Sequence, residues 1–182
     1  MVIETQRLTL VLLAEQHAED LSRFYNANKM HLSPWEPERA TDYHTEEAWR
    51  QRCVDFQAEH EAGVSLRLLA YMSGQQNLIG TCFFTNISRG VFQACHLGYA
   101  IAEEFGGKGL MTEIVAGSIE YVFTQLNLHR VMANYMPENT RSARVLEKLG
   151  FEKEGYAKSY LKIAGEWRDH VLTAKVNPDH GV

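Results

Sequence analysis

The 182-residue chain is long enough for one domain with its own core and too short for two of ordinary size, so residues 1–182 are expected to form a single domain. With 45% hydrophobic and 23% charged residues it lies away from disordered and fibrous compositions. A net charge of −5 argues against a DNA or RNA binder that works by neutralising phosphates and suits a basic partner.

Cys53, Cys82 and Cys95 form no CxxC pair and leave an odd thiol under any disulfide scheme, which reads as reduced core cysteines in a cytoplasmic protein. The start, Met1 to Thr5, lacks a basic stretch followed by an apolar run, and no later apolar segment approaches bilayer length. Neither export nor a membrane partner is expected.

Leu8, Leu10 and Leu12 alternate with Arg7, Thr9 and Val11, the period of a strand with one buried face. From Ala14 an apolar stripe of Ala18, Leu21, Phe24 and Tyr25 predicts a helix ending near Asn28. Pro34 and Pro37 break up residues 31–37, and a helix with Trp49, Cys53 and Phe56 on one face follows Thr45. Three strands are then expected, 66–72, 78–86 and 91–101, as an antiparallel meander with turns at 73–76 and 86–90. A long helix carries Met111, Ile114, Val115, Ile119, Val122, Phe123 and Leu126. A strand at 130–135, a short helix at 139–149 stopped by Gly150, and a hairpin of 156–163 and 167–176 hinged at 164–166 complete the chain. The order is βααβββαβαββ, an α/β arrangement built on a mixed sheet, with no repeat or linker.

Two stretches carry candidate chemistry. Phe105 to Thr112 (FGGKGLMT) lies between a strand and the long helix. Its glycines let the backbone approach a bulky anion, and the free N–H groups of the helix's first turn favour phosphate. A tight strand-to-helix turn would use the same glycines, and the GxGxxG and GxxxxGK patterns of nucleotide sites are absent. The second stretch is Asn139-Thr140-Arg141-Ser142 followed by Leu146, Leu149, Gly150 and Phe151. By itself it reads as an N-cap, two core leucines and a C-terminal stop. His44, His96 and His129 lack companions at ligand spacing, and no metal is expected.

Both stretches occur in one chain, in this order, separated by one strand and preceded by three antiparallel strands. In that context the sequence resembles the GCN5-related N-acetyltransferase (GNAT) family over nearly its whole length. Within the family it is similar to the RimJ-type ribosomal-protein-alanine N-acetyltransferases. The likeness is carried by His31-Leu32-Ser33-Pro34-Trp35-Glu36-Pro37, Gly106-Gly107-Lys108-Gly109-Leu110-Met111, Pro137-Glu138-Asn139-Thr140-Arg141-Ser142 and Gly165-Glu166-Trp167-Arg168-Asp169-His170.

The resemblance implies a strongly curved mixed sheet flanked by helices, with its fourth and fifth strands splayed to admit acetyl-CoA. The family's pyrophosphate signature is Gln or Arg, two residues, Gly, one residue, then Gly or Ala. Here Gly106 replaces the first side chain, Gly109 matches and Met111 fills the last place. The burden is therefore expected to fall on N–H groups from Gly107 through Leu110 to Met111, with Lys108 as an accessory charge. Tyr99, Ala100 and Ile101 are implied to pair with the pantetheine arm in strand fashion, with Asn139 touching it from the other side.

Many relatives use a Tyr of the short helix as the acid that protonates the leaving thiolate, and here that position is Leu146. Ser142, on the same helix, is the replacement candidate. Related enzymes place a Glu base where this chain has Asn134, which leaves Asn134 as an acceptor-side residue and no direct strong base. A free α-amine, with a pKa near ~8, is about a tenth neutral at pH 7, whereas a Lys amine near ~10.4 is neutral only about once in several thousand molecules. The missing base therefore suits an N-terminal acceptor, and the resemblance names the N-terminal alanine of a small-subunit ribosomal protein.

Trp35 and Glu36 in the Pro-bracketed loop, and Asp169 near the end of the chain, are the candidates for holding the amine. Glu36 is a candidate for pairing with the ammonium or orienting a proton-accepting water, or is a solvated loop carboxylate. Asp169 equally suits tying a turn together. Other readings of the same residues are a GNAT enzyme for a small-molecule amine, a non-catalytic acyl-CoA-binding module, and a ribosome-assembly factor whose association with the ribosome outweighs catalysis.

Overall fold

The computed structural model describes residues 1–180. Its elements are β1 (Val2–Glu4), β2 (Leu8–Leu12), α1 (Ala18–Ala27), α2 (Lys29–Leu32), α3 (Glu46–Glu61), β3 (Leu66–Met72), β4 (Leu78–Ser88) and β5 (Ala94–Ile101). They continue with α4 (Leu110–Thr124), β6 (Arg130–Tyr135), α5 (Thr140–Lys148), β7 (Glu152–Ile163) and β8 (Glu166–Val176). All strands join one sheet in the order β1-β2-β3-β4-β5-β6-β8-β7, antiparallel throughout except at β5–β6. The mixed sheet and the helix order agree with expectation.

The differences have local causes. An extra strand, β1, pairs with β2 from Val2↔Val11 to Glu4↔Thr9, in a segment too short to show a period. Residues 31–37 are expected to be irregular, but Lys29–Leu32 form a turn of α-helix and Ser33–Trp35 a 3-10 turn, because Pro34 sits in the first turn of the latter and needs no N–H there. The meander's second turn lies at 89–93 rather than 86–90, which leaves Val91 exposed in a connection instead of in a strand. β7 starts at Glu152, four residues earlier than expected, as an edge strand whose mostly exposed residues carry no burial period.

The sheet has two apolar faces. Against α4 and α5 lie Leu8, Leu10, Leu68, Cys82, Phe84, Cys95, Val131 and Ala133, with Tyr99 and Ile101 at the margin. On the other face Leu69, with Phe83 and Ala100 at the margin, shares a cluster with Leu21 and Phe24 of α1 and Trp49 and Cys53 of α3. Successive residues of β5 thus face opposite layers, as a strand requires. The three cysteines are buried and unpaired, and burial raises all three thiols, Cys53 to about 11 and Cys82 and Cys95 to about 12.

Candidate active site

The site begins with an interruption of the sheet. β5 and β6 pair only through Ala94↔Arg130, Cys95↔Val131 and His96↔Met132, after which both strands run on without each other. On its far side β5 keeps its partners, Tyr99↔Cys82, Ala100↔Thr81 and Ile101↔Gly80. Gly80 allows that close approach, since a Cβ there would lie 2.9 Å from the Ala100 carbonyl oxygen. Residues 97–101 therefore offer one open, strand-shaped edge to the gap, and the expected splay is present.

The gap leads to the Gly-rich turn. Gly107 and Gly109 have φ of +74° and +76°, a region costly for residues with a Cβ, and Gly109 is the N-cap of α4. Among the described residues no hydrogen bond is made by the N–H groups from Gly107 to Met111, so five consecutive donors stand free at the positive end of a 15-residue helix. Gly106 is different: its φ is −63°, and a Cβ there would come within 3.1 Å of the Glu103 carbonyl. The family's Gln or Arg at this place would need that carbonyl to give way. Lys108 is exposed, its Nζ 5.4 Å from the Phe105 ring centroid.

On the α4/α5 side of the gap, Asn139 caps α5 by accepting the Ser142 N–H at 3.1 Å through Oδ1. That cap fixes the first turn, and Ser142 Oγ lies 2.8 Å from the Tyr99 hydroxyl, which also reaches the Ser142 carbonyl at 3.3 Å. Burial pushes the Tyr99 hydroxyl well above its ordinary pKa, partly offset by Ser142, so the O–H keeps its proton at any physiological pH. Leu146 is 1% exposed and packed in the core. The hydroxyl pair Tyr99–Ser142 thus ties the open edge of β5 to the first turn of α5, and nothing in the sequence marks the Tyr99 side chain as a functional group, because the resemblance implicates only its backbone.

On the α1/α3 side lies Glu36. Burial raises its carboxyl above the usual range, with the Arg39 charge pulling the other way. Its negative charge in turn adds to the burial that raises Tyr25. The loop bearing it is clasped at both ends. The Glu36 carbonyl accepts the Ala164 N–H of the β7–β8 turn at 2.9 Å. Farther on, Arg52 lies 3.9 Å over both the Tyr43 and Trp49 rings, and His44 stacks on Tyr25 at 4.9 Å. Burial together with the neighbouring Arg52, Arg39 and Lys29 charges lowers His44 to about 4, so this stack is neutral. Trp35 is 39% exposed beside the loop, and a depression of ≈ 520 Å³ lined by Pro37 to Ala40, Lys162 and Gly165 separates loop from hairpin.

Asn134 faces this same side by strand alternation with Val131 and Ala133, and its Nδ2 donates to the Tyr160 hydroxyl at 3.4 Å. Tyr160 packs at 5.6 Å from the buried ring of His170. Its placement depends on a bulge between Ala157 and Leu161, where Ser159 takes φ of +47°. Asp169 holds that bulge. Its Oδ1 accepts the Ser159 N–H at 2.8 Å and its Oδ2 the Tyr156 hydroxyl at 2.7 Å, and these bonds keep its carboxyl below the usual range. Both Asp169 oxygens are thus engaged inside the hairpin, with Arg168 turned instead to Glu138 and Glu166. Tyr160 escaped notice in the sequence because nothing marks a bulge before pairing is known.

Among the described residues no group of three or more His, Cys, Asp or Glu is placed to hold a metal ion, and no helix is long and apolar enough to cross a membrane.

Known proteins share this arrangement. The chain is 42% identical over 177 residues to the ribosomal protein uS5-alanine N-acetyltransferase of Escherichia coli (strain K12), covering 97% of this chain and 91% of that one. The crystal structure of the ribosomal-protein-S5-alanine acetyltransferase of Vibrio fischeri superposes with a TM-score of 0.95 at 38% identity over the full length of both chains. Mycobacterium smegmatis RimJ, solved in complex with CoA-disulfide, superposes with a TM-score of 0.93 at 30% identity, covering 100% of this chain and 90% of that one. The acetyltransferase (GNAT) domain family matches residues 7–152. From the interrupted sheet, the glycine turn that caps α4 and these likenesses together, the chain belongs to the GNAT acetyltransferase family.

Proposed function

We propose that this chain works as a single domain that transfers an acetyl group from acetyl-CoA to the α-amino group of an N-terminal alanine, with ribosomal protein uS5 as the acceptor. The observation that carries the chemistry is the opening between β5 and β6, with the Tyr99–Ser142 pair on one side of the sheet and Glu36, Asn134 and Tyr160 on the other. The acceptor is supported by the 42% identity, nearly end to end, with an enzyme named for it.

In this reading the diphosphate rests on the free N–H groups of residues 107–111, and the pantetheine amides pair with the open edge at Tyr99, Ala100 and Ile101, beside Asn139. The thioester then lies in the gap. The neutral amine, steered by Glu36 directly or through a water, attacks the carbonyl carbon with its lone pair. A backbone N–H of the open edge stabilises the oxyanion. When the C–S bond breaks, the sulfur takes a proton from Ser142 Oγ, which regains one from the Tyr99 hydroxyl as solvent returns a proton to Tyr99, or from solvent directly. The proton lost by nitrogen passes to Glu36 or water, and the products are the N-acetylated peptide and the free thiol. Trp35 borders the first side chain, whereas Asp169 acts through the bulge that seats Tyr160. Contact with the ribosome itself would extend this reading to assembling particles.

The test is a competition read by mass spectrometry between equimolar peptides, one Lys-free and starting with Ala, the other α-blocked with an internal Lys. The Ala-starting peptide is expected to be acetylated far faster, with Ser starts close to Ala and Leu, Lys or Asp starts slower, since a first-residue pocket discriminates by about ~1–3 kcal/mol per methylene-sized difference. Trp35→Ala is expected to blur that order. Equal acetylation of the Lys-only peptide sinks the acceptor assignment, turnover on a polyamine alone points to a small-molecule enzyme, and tight acetyl-CoA binding without turnover points to a binding module.

A further inference from the structure

The Gly-rich turn is reached by a side chain from the other end of the chain. Arg7, in the connection between β1 and β2, donates through Nε to Glu113 Oε2 at 2.7 Å and through its backbone N–H to Glu113 Oε1 at 2.7 Å. Thr5 Oγ1 donates to Glu113 Oε1 at 2.7 Å as well. Burial alone would raise the Glu113 carboxyl, but these bonds and the Arg7 charge hold it below the usual range. The anchored guanidinium then extends Nη1 to the Lys108 carbonyl at 3.2 Å, while Nη2 lies 3.7 Å from where a Gly109 Cβ would be.

That single contact orients a peptide plane. In a trans peptide the C=O and the following N–H point in opposite directions, and the chain has no cis bond among the described residues. Holding the Lys108 carbonyl toward Arg7 therefore turns the Gly109 N–H away from it. A flip of this plane turns about ψ of Lys108 and φ of Gly109, and Gly109, at φ +76°, carries no Cβ to oppose it. The Arg7 charge is matched by Glu113, a 2.7 Å ion pair, and Arg7 adds little net positive charge to the turn. Its contribution is geometric.

We propose that Arg7 is a positioning residue for diphosphate binding: braced by Glu113, it fixes the Lys108–Gly109 peptide so that the Gly109 N–H faces the cofactor's diphosphate. This takes over part of the work left by the missing Gln or Arg at position 106. The inference rests on the diphosphate reading of the turn.

The test compares Arg7→Lys, Arg7→Met and Gly107→Asp with the unaltered protein, using calorimetry with CoA and steady-state kinetics with acetyl-CoA and with acetyl-pantetheine, which lacks the diphosphate. Arg7→Lys keeps the charge opposite Glu113 but cannot bridge to the Lys108 carbonyl as well. Both Arg7 variants are expected to weaken CoA binding and raise the acetyl-CoA KM about ten- to hundredfold, the worth of one misaligned charge-assisted hydrogen bond, with kcat unchanged. Activity with acetyl-pantetheine is expected to stay within twofold. If Gly107→Asp weakens CoA while Arg7→Lys binds it normally, the brace is wrong and the diphosphate site stands. If Gly107→Asp also binds normally, the diphosphate reading itself falls. An equal loss with acetyl-pantetheine makes Arg7 a merely structural residue and overturns the proposal. Arg7→Lys carries the test if Arg7→Met fails to fold.

Discussion

Removing the Ser142 hydroxyl separates catalysis from stability. Ser142→Ala deletes the 2.8 Å partner of the Tyr99 O–H, a half-buried group that keeps only its longer bond to the Ser142 carbonyl. The stability cost is about ~1 kcal/mol, a shift in Tm of roughly 2–4 °C for a chain of this size. If the same hydroxyl protonates the leaving sulfur, turnover falls by about 10², the lower end of what a positioned acid supplies, or ~2.7 kcal/mol of barrier. The acetyl-CoA KM is expected to stay within twofold, because the proton is given only as the thiolate leaves. Tyr99→Phe keeps the ring and loses the relay, for about a tenfold loss. Since the two hydroxyls share one hydrogen bond, the double variant is expected to be about as slow as Ser142→Ala alone, a coupling of ~1.4 kcal/mol. The assay is thiol release on an Ala-starting peptide, with thermal melts of each variant. Unchanged turnover in Ser142→Ala, or losses that add in the double variant, refutes the relay.

Three further outcomes are expected. Glu36→Gln raises the peptide KM several-fold. Because burial lifts the carboxyl's pKa above 4.5 in the fold, native stability falls as pH rises through the window just above 4.5, so the variant should melt higher than the parent at pH 7 and equally near pH 4; a lower Tm at pH 7 or an unchanged KM counts against a buried, amine-facing carboxylate. Asp169→Asn, at a carboxyl held below 3.8, removes a contribution present above 3.8 and lost as pH falls below it; faster amide exchange at Ser159 and a raised peptide KM check this, and normal exchange there defeats it. Leu146→Tyr, which restores the family's usual residue, is expected not to rescue Ser142→Ala and to cost about 1–3 kcal/mol, since the site is 1% exposed and a ring with a hydroxyl overpacks it; a rescued rate would return the acid to that helix position.

Periodicity sufficed for the long elements. The stripe of α4 and the alternation of β2 appear in the sequence as they do in the fold, because each turns one face to a buried layer. Elements without such contrast were misjudged. β1 is three residues long, the start of β7 is exposed on both faces, and the residues around Pro34 form helical turns whose stability comes from packing near Leu32. In the site, backbone features carried over well: the glycine turn and the Asn139 cap announce themselves by residue type. The side-chain partnerships did not. Tyr99 meets Ser142 across 43 residues and Arg7 meets Lys108 across 101, pairings that arise from sheet order and leave no local mark. Asp169, read either as an amine ligand or as a tie for a turn, has both oxygens engaged at a bulge that only register reveals.

Among the described residues the strand ladder between β5 and β6 has three residue pairs, extended by the His129 and Arg130 N–H groups donating to the Gln93 carbonyl, and this short seam joins two hydrogen-bonded leaves, one of β1 to β5 and the other of β6 to β8. Such a seam is the easiest place for the sheet to breathe, and an extended ligand lying along it acts as a staple across both leaves. Ligand at a hundred times its Kd adds about 2.7 kcal/mol to native stability whatever its shape. The seam decides where that gain is felt: the amides of residues 97–101 that face the gap should slow their exchange most, and the twist between the leaves should narrow. If release of the spent thiol requires the seam to open, the tightness with which that thiol holds the leaves together sets a ceiling on how fast the next acceptor is served.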